Sequence, residues 1–567
     1  MLVNHLAFAD DVALVSQTPE GMKRLLFELE HQLGLVGLTP NAAKSSSLRI
    51  DVLGRKRMWV CNPDPYLTLD GNTVPAIDIA GAYKYLGIPT GLGRKVGSVA
   101  TCKLDYQIGQ LSKAPLKPEQ RIYFLRVHVI PGLYHELVLG RYTMGLLVSL
   151  DRKVRAAVRR WVHVPHDLPM GFFHAHSADG GLGLPQLTVQ VPLMRRDRVE
   201  RLYGRNTGAN GRDPVMTAVI EQSRILQSER AMFSDGIKCY GEKVTTKNGR
   251  RQATAAALHA SCDGKGLTDM GQVPAVSRWV NNGSKMVGGR ACVNAMQVRA
   301  GCLYTKVRAS RGRAVKDQSD LACDVCPAKR ETLGHILQQC PRPAHARNER
   351  HDRIVKFLAQ RLSAKGFTAE SEPTIKTVDG IRRPDVVAYR PGVEAWVIDV
   401  TIVNHLPGEI NAAHALKAAK YKRREIRAWV SGSAKIEATN VQFTSLTLNW
   451  RGAMSSHSAE DMRKLRLTLS DLEVVSAMVL AGGYKAWQQH RDSTWVRLDF
   501  LSNHGREEQQ SDETVNGRLV PRGRPPFPPT GAGRTAEAPR AWATAKAGLR
   551  SAWKHEPLAP VMRKRSK

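Results

Sequence analysis

Apolar positions change period several times along the chain, and each change predicts an element. Residues 2–8 run apolar, meet Ala9-Asp10-Asp11, and resume as residues 12–15. That pattern predicts a β-hairpin with two carboxylates at its tip. Thr18-Pro19 opens a helix, with Thr as N-cap and Pro at the first helical position. Met22, Leu25, Leu26, Leu29, Leu33 and Val36 give this helix one apolar face, and Gly37 ends it. Short strands follow to about Ile88. Residues 119–163 read as helical. Leu146, Leu147, Leu150, Val154, Val158 and Trp161 form one stripe there, while Arg152, Lys153, Arg155, Arg159 and Arg160 cover the rest. The split predicts cations facing outward. Residues 200–320 are less regular. Residues 344–362 form another helix between Pro343 and Gly366, and residues 384–430 alternate strand-like runs with a Lys-rich helix. From Gly505 the apolar pattern stops and eight of the 30 prolines appear, which predicts a disordered tail.

Composition narrows the class. A chain of 567 residues suggests three to five domains at about 100–200 residues each. A hydrophobic fraction of 42% supports real cores. An uninterrupted apolar run of about 18 residues is absent, so an ordinary membrane span is not expected. The acids at positions 10 and 11 also make a secretory signal unexpected. Lys and Arg number 84 against 51 Asp and Glu, a net charge of +33. Residues 1–100 are nearly neutral, with 10 basic and 9 acidic side chains, whereas residues 201–322 carry 20 and 9. This layout points to a nucleic-acid partner; solubilising surface charge is the plain alternative. Nine cysteines are spread out, and only Cys323, Cys326 and Cys340 cluster, which fits a reducing compartment rather than a disulfide framework.

The Asp10-Asp11 pair is electrostatically awkward at a turn unless a divalent cation binds there. On its own it is a weak signal, since a solvated turn accounts for it equally. Its context is stronger. Phe8-Ala9-Asp10-Asp11 precedes the amphipathic helix, then Gly37-Leu38-Thr39-Pro40-Asn41-Ala42-Ala43-Lys44-Ser45, then Tyr83-Lys84-Tyr85-Leu86-Gly87-Ile88. This order resembles the second half of a reverse-transcriptase palm. The resemblance implies that Asp10 and Asp11 hold Mg²⁺ (or Mn²⁺), that Lys44 lies near the incoming nucleotide, and that Tyr85, Leu86 and Gly87 grip the primer end. Two-metal polymerases need a further carboxylate from an earlier strand, and fingers as well. Neither precedes Asp10 here, so the expectation is a C-terminal fragment that does not polymerise alone.

Residues 116–187 continue the likeness. Leu116-Lys117-Pro118-Glu119-Gln120-Arg121, Ile130-Pro131-Gly132-Leu133, Asp151-Arg152-Lys153-Val154-Arg155 and Trp161 resemble the thumb of non-LTR retrotransposon polymerases. Arg152, Arg155 and Arg159 would then contact duplex phosphates through charge alone. Asp179-Gly180-Gly181-Leu182-Gly183 lacks a phosphate-loop pattern and reads as a tight structural turn.

Cys323-x2-Cys326-x8-His335-x4-Cys340 offers three thiolates and one imidazole, a set that suits closed, structural, tetrahedral zinc. His345 and His351 are weaker alternative ligands. Arg308, Arg311 and Arg313 lie upstream as candidate nucleic-acid contacts. Further on, Arg383-Pro384-Asp385-Val386-Val387 is followed by Ala395-Trp396-Val397-Ile398-Asp399-Val400-Thr401. A hairpin would bring Asp385 and Asp399 together to hold Mg²⁺. Lys417 and Lys420 share one face of the next helix. The set resembles the PD-(D/E)xK nuclease core of site-specific non-LTR retrotransposons. Thr401 stands where that core usually has its lysine, and the resemblance moves this role to Lys417 or Lys420. Glu394 and Glu409 are possible further ligands without an assigned place.

The expected fold class is therefore multidomain α/β. Residues 1–100 read as a partial palm, 101–200 as a helical thumb and 201–322 as a basic linker. Residues 323–345 read as a CCHC zinc knuckle, 346–500 as a restriction-like endonuclease and 501–567 as a disordered basic tail. The family implied is the non-LTR retrotransposon polyprotein that inserts into ribosomal DNA. It implies a nick in double-stranded target DNA, reverse transcription of bound element RNA from dNTPs, and a nuclear location. Two other readings stay open: a nucleic-acid-binding remnant without catalysis, and a metal-dependent nuclease unrelated to transposition. Target sequence and oligomeric state are not legible.

Overall fold

A computed structural model describes residues 4–56, 58–91, 97–140, 142–206, 214–282, 287–315, 317–404 and 408–507. The fold is mixed α/β. The expected tail lies almost wholly outside these residues.

At the start, strands His5–Phe8 and Asp11–Leu14 pair antiparallel, with Phe8 opposite Asp11. The turn is Ala9-Asp10, so Asp11 already belongs to the returning strand. Helix Pro19–Leu35 follows, its first turn capped by the Thr18 hydroxyl, which accepts from the Gly21 amide at 3.0 Å. No residue of this helix is fully buried. Its apolar stripe is only half covered, by a small cluster of Ala42, Leu67, Leu69 and Val74. Strands Tyr83–Tyr85 and Ile88–Thr90 form a second hairpin. Leu86 and Gly87 both take positive φ at its tip, as a two-residue turn of the type I′ shape requires.

The next region is helical and well packed. Helix Met144–Val162 buries Leu147, Leu150, Val154, Ala157, Val158, Trp161 and Val162, close to the stripe expected from sequence. It also buries Asp151, whose carboxylate accepts from the Leu187 and Thr188 amides and from the Thr188 hydroxyl. Those amides open helix Leu187–Asn206, so Asp151 satisfies donors that a helix start leaves unpaired. Residues 179–183 form the expected tight turn, with Gly180 and Gly183 at positive φ.

Residues 201–322 do more than link. Helices Lys247–Ala260 and Arg290–Ala300 lie there, and Leu258, Leu267, Trp279, Met296 and Val298 join one continuous core. That core begins with Leu104 and Leu125 and continues through Leu358, Ile398 and Leu446. Of the basic residues that suggested a linker, Arg308 and Arg311 are ion-paired with Asp263, and Arg299 is buried against the Trp279 ring.

The C-terminal half holds a four-stranded sheet in the order Thr368–Ser371, Val386–Arg390, Glu394–Val403, Val441–Asn449. The first three run antiparallel, and the last is parallel to Glu394–Val403. A parallel neighbour needs a crossover. Helices Glu409–Lys420 and Arg424–Ala434 provide it. Strand Glu394–Val403 is covered on both faces, which explains its nearly unbroken apolar run. Trp396, Ile398 and Val400 join the main core on one face. Ala395 and Val397 pack with Tyr421, Ile426 and Val430 on the other.

Candidate active site and metal centre

Strand alternation places Asp399 on the Tyr421 side, in step with Ala395 and Val397. Register then supplies its neighbour. Val386 pairs with Ile398 and Val387 with Val397, so the next step sets Asp385 opposite Asp399. Each carboxylate is oriented by a second group. Asp385 Oδ2 accepts from the Val400 amide at 2.5 Å and meets His351 Nε2 at 3.2 Å. Asp399 Oδ2 accepts from the Thr401 hydroxyl at 2.9 Å. Lys417 Nζ stands 3.5 Å from the same Asp399 oxygen, on a side chain that keeps partial access to solvent. Asp399 itself is buried.

The two lysines separate here. Lys420 Nζ donates to the Tyr421 hydroxyl at 3.2 Å and lies over that ring, while the hydroxyl donates to the Arg383 carbonyl. Burial, with Asp399 and Asp385 nearby, pushes the Tyr421 hydroxyl pKa up. His351, an outside candidate for the cysteine cluster, instead faces Asp385. The hydrogen bond to that carboxylate lifts its pKa to about 9. Sequence spacing set His351 beside the cysteines and missed its contact with Asp385, because it comes from helix Ala344–Ser363, which precedes both strands. Glu394 lies at the opposite end of the hairpin, bound to Arg390 and to the Trp396 indole, and does not reach the pair. Glu409 is exposed at a helix start.

The second centre is the cysteine cluster. Cys323, Cys326, His335 and Cys340 bring one ligand atom each to within 4.8 Å of one another. Local structure explains the convergence. The Cys323 amide donates to the Lys329 carbonyl and the Lys329 amide to the Cys326 carbonyl, which closes a tight knuckle. Thr332 caps helix Leu333–Gln338 by accepting from the His335 amide, and this presents His335. The Cys340 amide returns to the His335 carbonyl. Both ring nitrogens of His335 are buried without a well-formed hydrogen-bond partner. Burial and the neighbouring sulfurs push the Cys340 thiol up to about 12. Buried orphan nitrogens beside three crowded sulfurs are costly unless a soft cation joins them, so the donor set fits a metal.

The first hairpin differs. Asp10 is exposed and Asp11 half-buried, and among the described residues no third metal-ligating side chain gathers with them. Lys44 ends a short turn, its carbonyl accepting from the Tyr83 hydroxyl at 2.8 Å. That bond ties it to the hairpin of Tyr85, Leu86 and Gly87, whose Leu86 carbonyl meets His135 Nε2 at 2.8 Å.

Three of the expected cationic contacts have partners within the chain. Arg155 and Arg159 are half-buried rather than fully exposed: Arg155 reaches His174, and Arg159 lies over the Phe173 ring. Helix Met144–Val162 is covered on a wider arc than its apolar stripe implied. Arg152 and Arg160 are exposed, and Lys153 pairs with Asp105 at 2.7 Å. Arg308 is also committed inward, bridging Asp263 and Asp167, and Arg311 joins the same pair of carboxylates. Arg313 is exposed.

No family model matches the chain. Relatives are nevertheless clear. The Retrovirus-related Pol polyprotein from type-2 retrotransposable element R2DM of Drosophila melanogaster is 30% identical over 491 residues, 86% of this chain and 45% of that protein. The Retrovirus-related Pol polyprotein from type-1 retrotransposable element R2 of Nasonia vitripennis is 27% identical over 498 residues, 87% of this chain and 46% of the relative. A protein of the same description from Popillia japonica is 28% identical over 421 residues, 74% of this chain and 84% of its own length. The chain spans about half the length of the first two. With a likeness that runs through most of its length, the chain belongs to the R2-type non-LTR retrotransposon Pol polyproteins.

Proposed function

We propose that this chain carries the DNA-cleaving part of a target-primed reverse-transcription protein, with Asp385, Asp399 and Lys417 as its nuclease site. The observation that carries the reading is one carboxylate pair across neighbouring strands with a lysine 3.5 Å from the inner carboxylate. Hard oxygen donors suit Mg²⁺ or Mn²⁺, and Asp385 and Asp399 would hold it. When bound, such an ion polarises the scissile phosphate and makes a water more nucleophilic at neutral pH.

The chain's own groups do the rest. Lys417 stabilises charge that develops on the phosphoryl oxygens. The Thr401 hydroxyl and the Val400 amide hold the carboxylates in register, and His351 orients Asp385. Lys420 acts indirectly, by steadying Tyr421. The four-stranded sheet with its crossover helices is the restriction-like core in this reading, and the cysteine cluster is a structural zinc knuckle.

The helices around Met144–Val162 are the thumb, and the segment before them is part of a palm. Asp10 and Asp11, with no third metal-ligating side chain beside them among the described residues, make primer extension by this chain alone unexpected. Element RNA, double-stranded ribosomal DNA and dNTPs are the partners of the whole activity, in the nucleus. Arg152 and Arg313 are the exposed cations best suited to phosphate contact.

The test is nicking of supercoiled DNA with Mg²⁺, comparing this chain with Asp385→Ala. Nicking by the wild type alone is expected. Absence of nicking by both, with nucleic-acid binding retained, favours the binding-only reading. That second reading draws on one feature: Asp385 Oδ2 is already engaged twice, by Val400 and His351.

A further inference from the structure

The cysteine cluster has a neighbour that its own segment does not supply. His490 is buried and belongs to helix Leu469–Glu507, far along the chain from the knuckle. Its Nε2 lies 3.6 Å from Cys323 Sγ. Cys323, Glu331 and His490 also form a second mutually close set of metal-ligating groups, all three buried, with Cys323 common to both sets. His490 does not gather with Cys326, His335 and Cys340. It therefore meets the Cys323 sulfur from a side other than the one the remaining ligands share.

The rest of the helix is docked at the same place. Trp487 Nε1 donates to the Tyr304 carbonyl at 2.8 Å. Lys485 pairs with Glu349 at 2.5 Å. At Gly483 a Cβ would meet Val298 and Leu337, the latter on the knuckle's own helix, and at Gly482 it would strike the Arg350 side chain. The contact between His490 and Cys323 thus lies in an ordered interface rather than at a loose end.

Three thiolates and one imidazole leave a zinc site with net negative charge, held on sulfurs in a buried place. N–H donors to such sulfurs spread that charge and fix the ligand's direction, as groups around metal ligands commonly do. We propose that His490 donates its Nε2–H to the Cys323 thiolate of the metal-loaded knuckle, and so couples metal binding to docking of the C-terminal helix. The proposal rests on the metal reading of the cluster. It makes His490 a positioning residue rather than a fifth ligand, and it makes helix docking weaker when the metal is removed.

The experiment uses the full chain loaded with Co²⁺ or Zn²⁺. Wild type, His490→Phe, His490→Gln and His335→Ala are compared by cobalt thiolate charge-transfer absorption, by zinc competition with a chelator, and by hydrogen exchange of residues 482–492. Loss of the donor in His490→Phe should shift the charge-transfer band and weaken zinc binding roughly 10- to 100-fold. His490→Gln, which keeps an N–H donor, should restore most of both. Chelation should raise exchange in 482–492 of the wild type and have little further effect in His490→Phe.

An unshifted band with unchanged affinity in His490→Phe overturns the proposal. So does a tetrahedral cobalt spectrum of the wild-type kind in His335→Ala, since His490 would then be a ligand. A wild-type chain that takes up neither ion sinks the metal centre itself, and is recognised before any variant is compared.

Discussion

In the first hairpin and in strands Arg49–Leu53 and Met58–Asn62, apolar side chains stand in solvent, with Phe8 at 67% and Val52 at 77% exposure. In strand Glu394–Val403 the same residue types are covered on both faces, with Ile398 and Val397 at 0% and 1%. Each region carries two aspartates. Asp10 is exposed at the turn and Asp11 half-buried beside it, where water screens charge and, among the described residues, no side chain orients the carboxylates. Asp399 is buried and Asp385 half-buried, and hydrogen bonds from Thr401 and Val400 hold them in place. A pair of acids becomes a site through the enclosure around it, and only the second pair has that enclosure within the described residues. Apolar faces as open as those of the first segment suit a contact surface. In the proposed reading the partner surface is the rest of a palm.

The strongest way to break this comparison is to exchange the roles of the two acid pairs. Asp399→Asn should reduce Mg²⁺-dependent nicking by on the order of 10³-fold, several kcal/mol of transition-state stabilisation. Asp10→Asn should leave nicking unchanged. Equal losses would mean that both tips serve one reaction, and a supercoiled-plasmid assay distinguishes these outcomes.

A stability contrast comes next. Leu446→Ala, in the buried strand beside Glu394–Val403, should cost about 2–5 kcal/mol. Val52→Ala should stay within about 0.5 kcal/mol. Denaturation midpoints followed by fluorescence compare them, and a cost at Val52 as large as that at Leu446 would show that its face is covered in solution.

The smaller effect sharpens a related contrast, between cations committed inward and cations left outside. Burial raises the Asp263 carboxyl, but Arg311 and Arg308 outweigh it and leave its pKa lowered. A carboxylate lowered in the folded state stabilises fully above its ordinary pKa, and that stability is lost as pH falls through the lowered value. Asp263→Asn should therefore destabilise the chain by about 3 kcal/mol at neutral pH and much less in acid. By contrast, Arg152→Ala should lower affinity for any nucleic acid and reduce the salt slope by about one, with stability unchanged. A larger stability loss at Arg152 than at Asp263 would reverse the assignment.

Sequence made some of this legible and hid the rest for physical reasons. The Thr18 cap, the cysteine cluster and the Asp385–Asp399 pair are encoded over short spans, so spacing alone pointed to them. The knuckle closes through neighbouring amides, and the carboxylates meet through one hairpin. The Asp385 contact of His351, and the roles of Asp151, Asp263 and His490, were hidden because their partners arrive from distant elements. The partial burial of Arg155 and Arg159 was not legible because an apolar stripe marks the centre of a covered face and says nothing of its edges. The basic middle looked like a linker because its charge is conspicuous, whereas Leu258, Leu267 and Trp279, which commit it to the core, are scattered without a period.

The most direct measurement compares Lys417→Ala with Lys420→Ala in Mg²⁺-dependent nicking at one protein concentration. Both lysines lie on one helix, yet only Lys417 approaches Asp399, while Lys420 rests on Tyr421. A loss of about 10²- to 10³-fold is expected for Lys417→Ala, with Lys420→Ala close to the wild type. Full activity in Lys417→Ala, with the loss falling on Lys420→Ala, would contradict it.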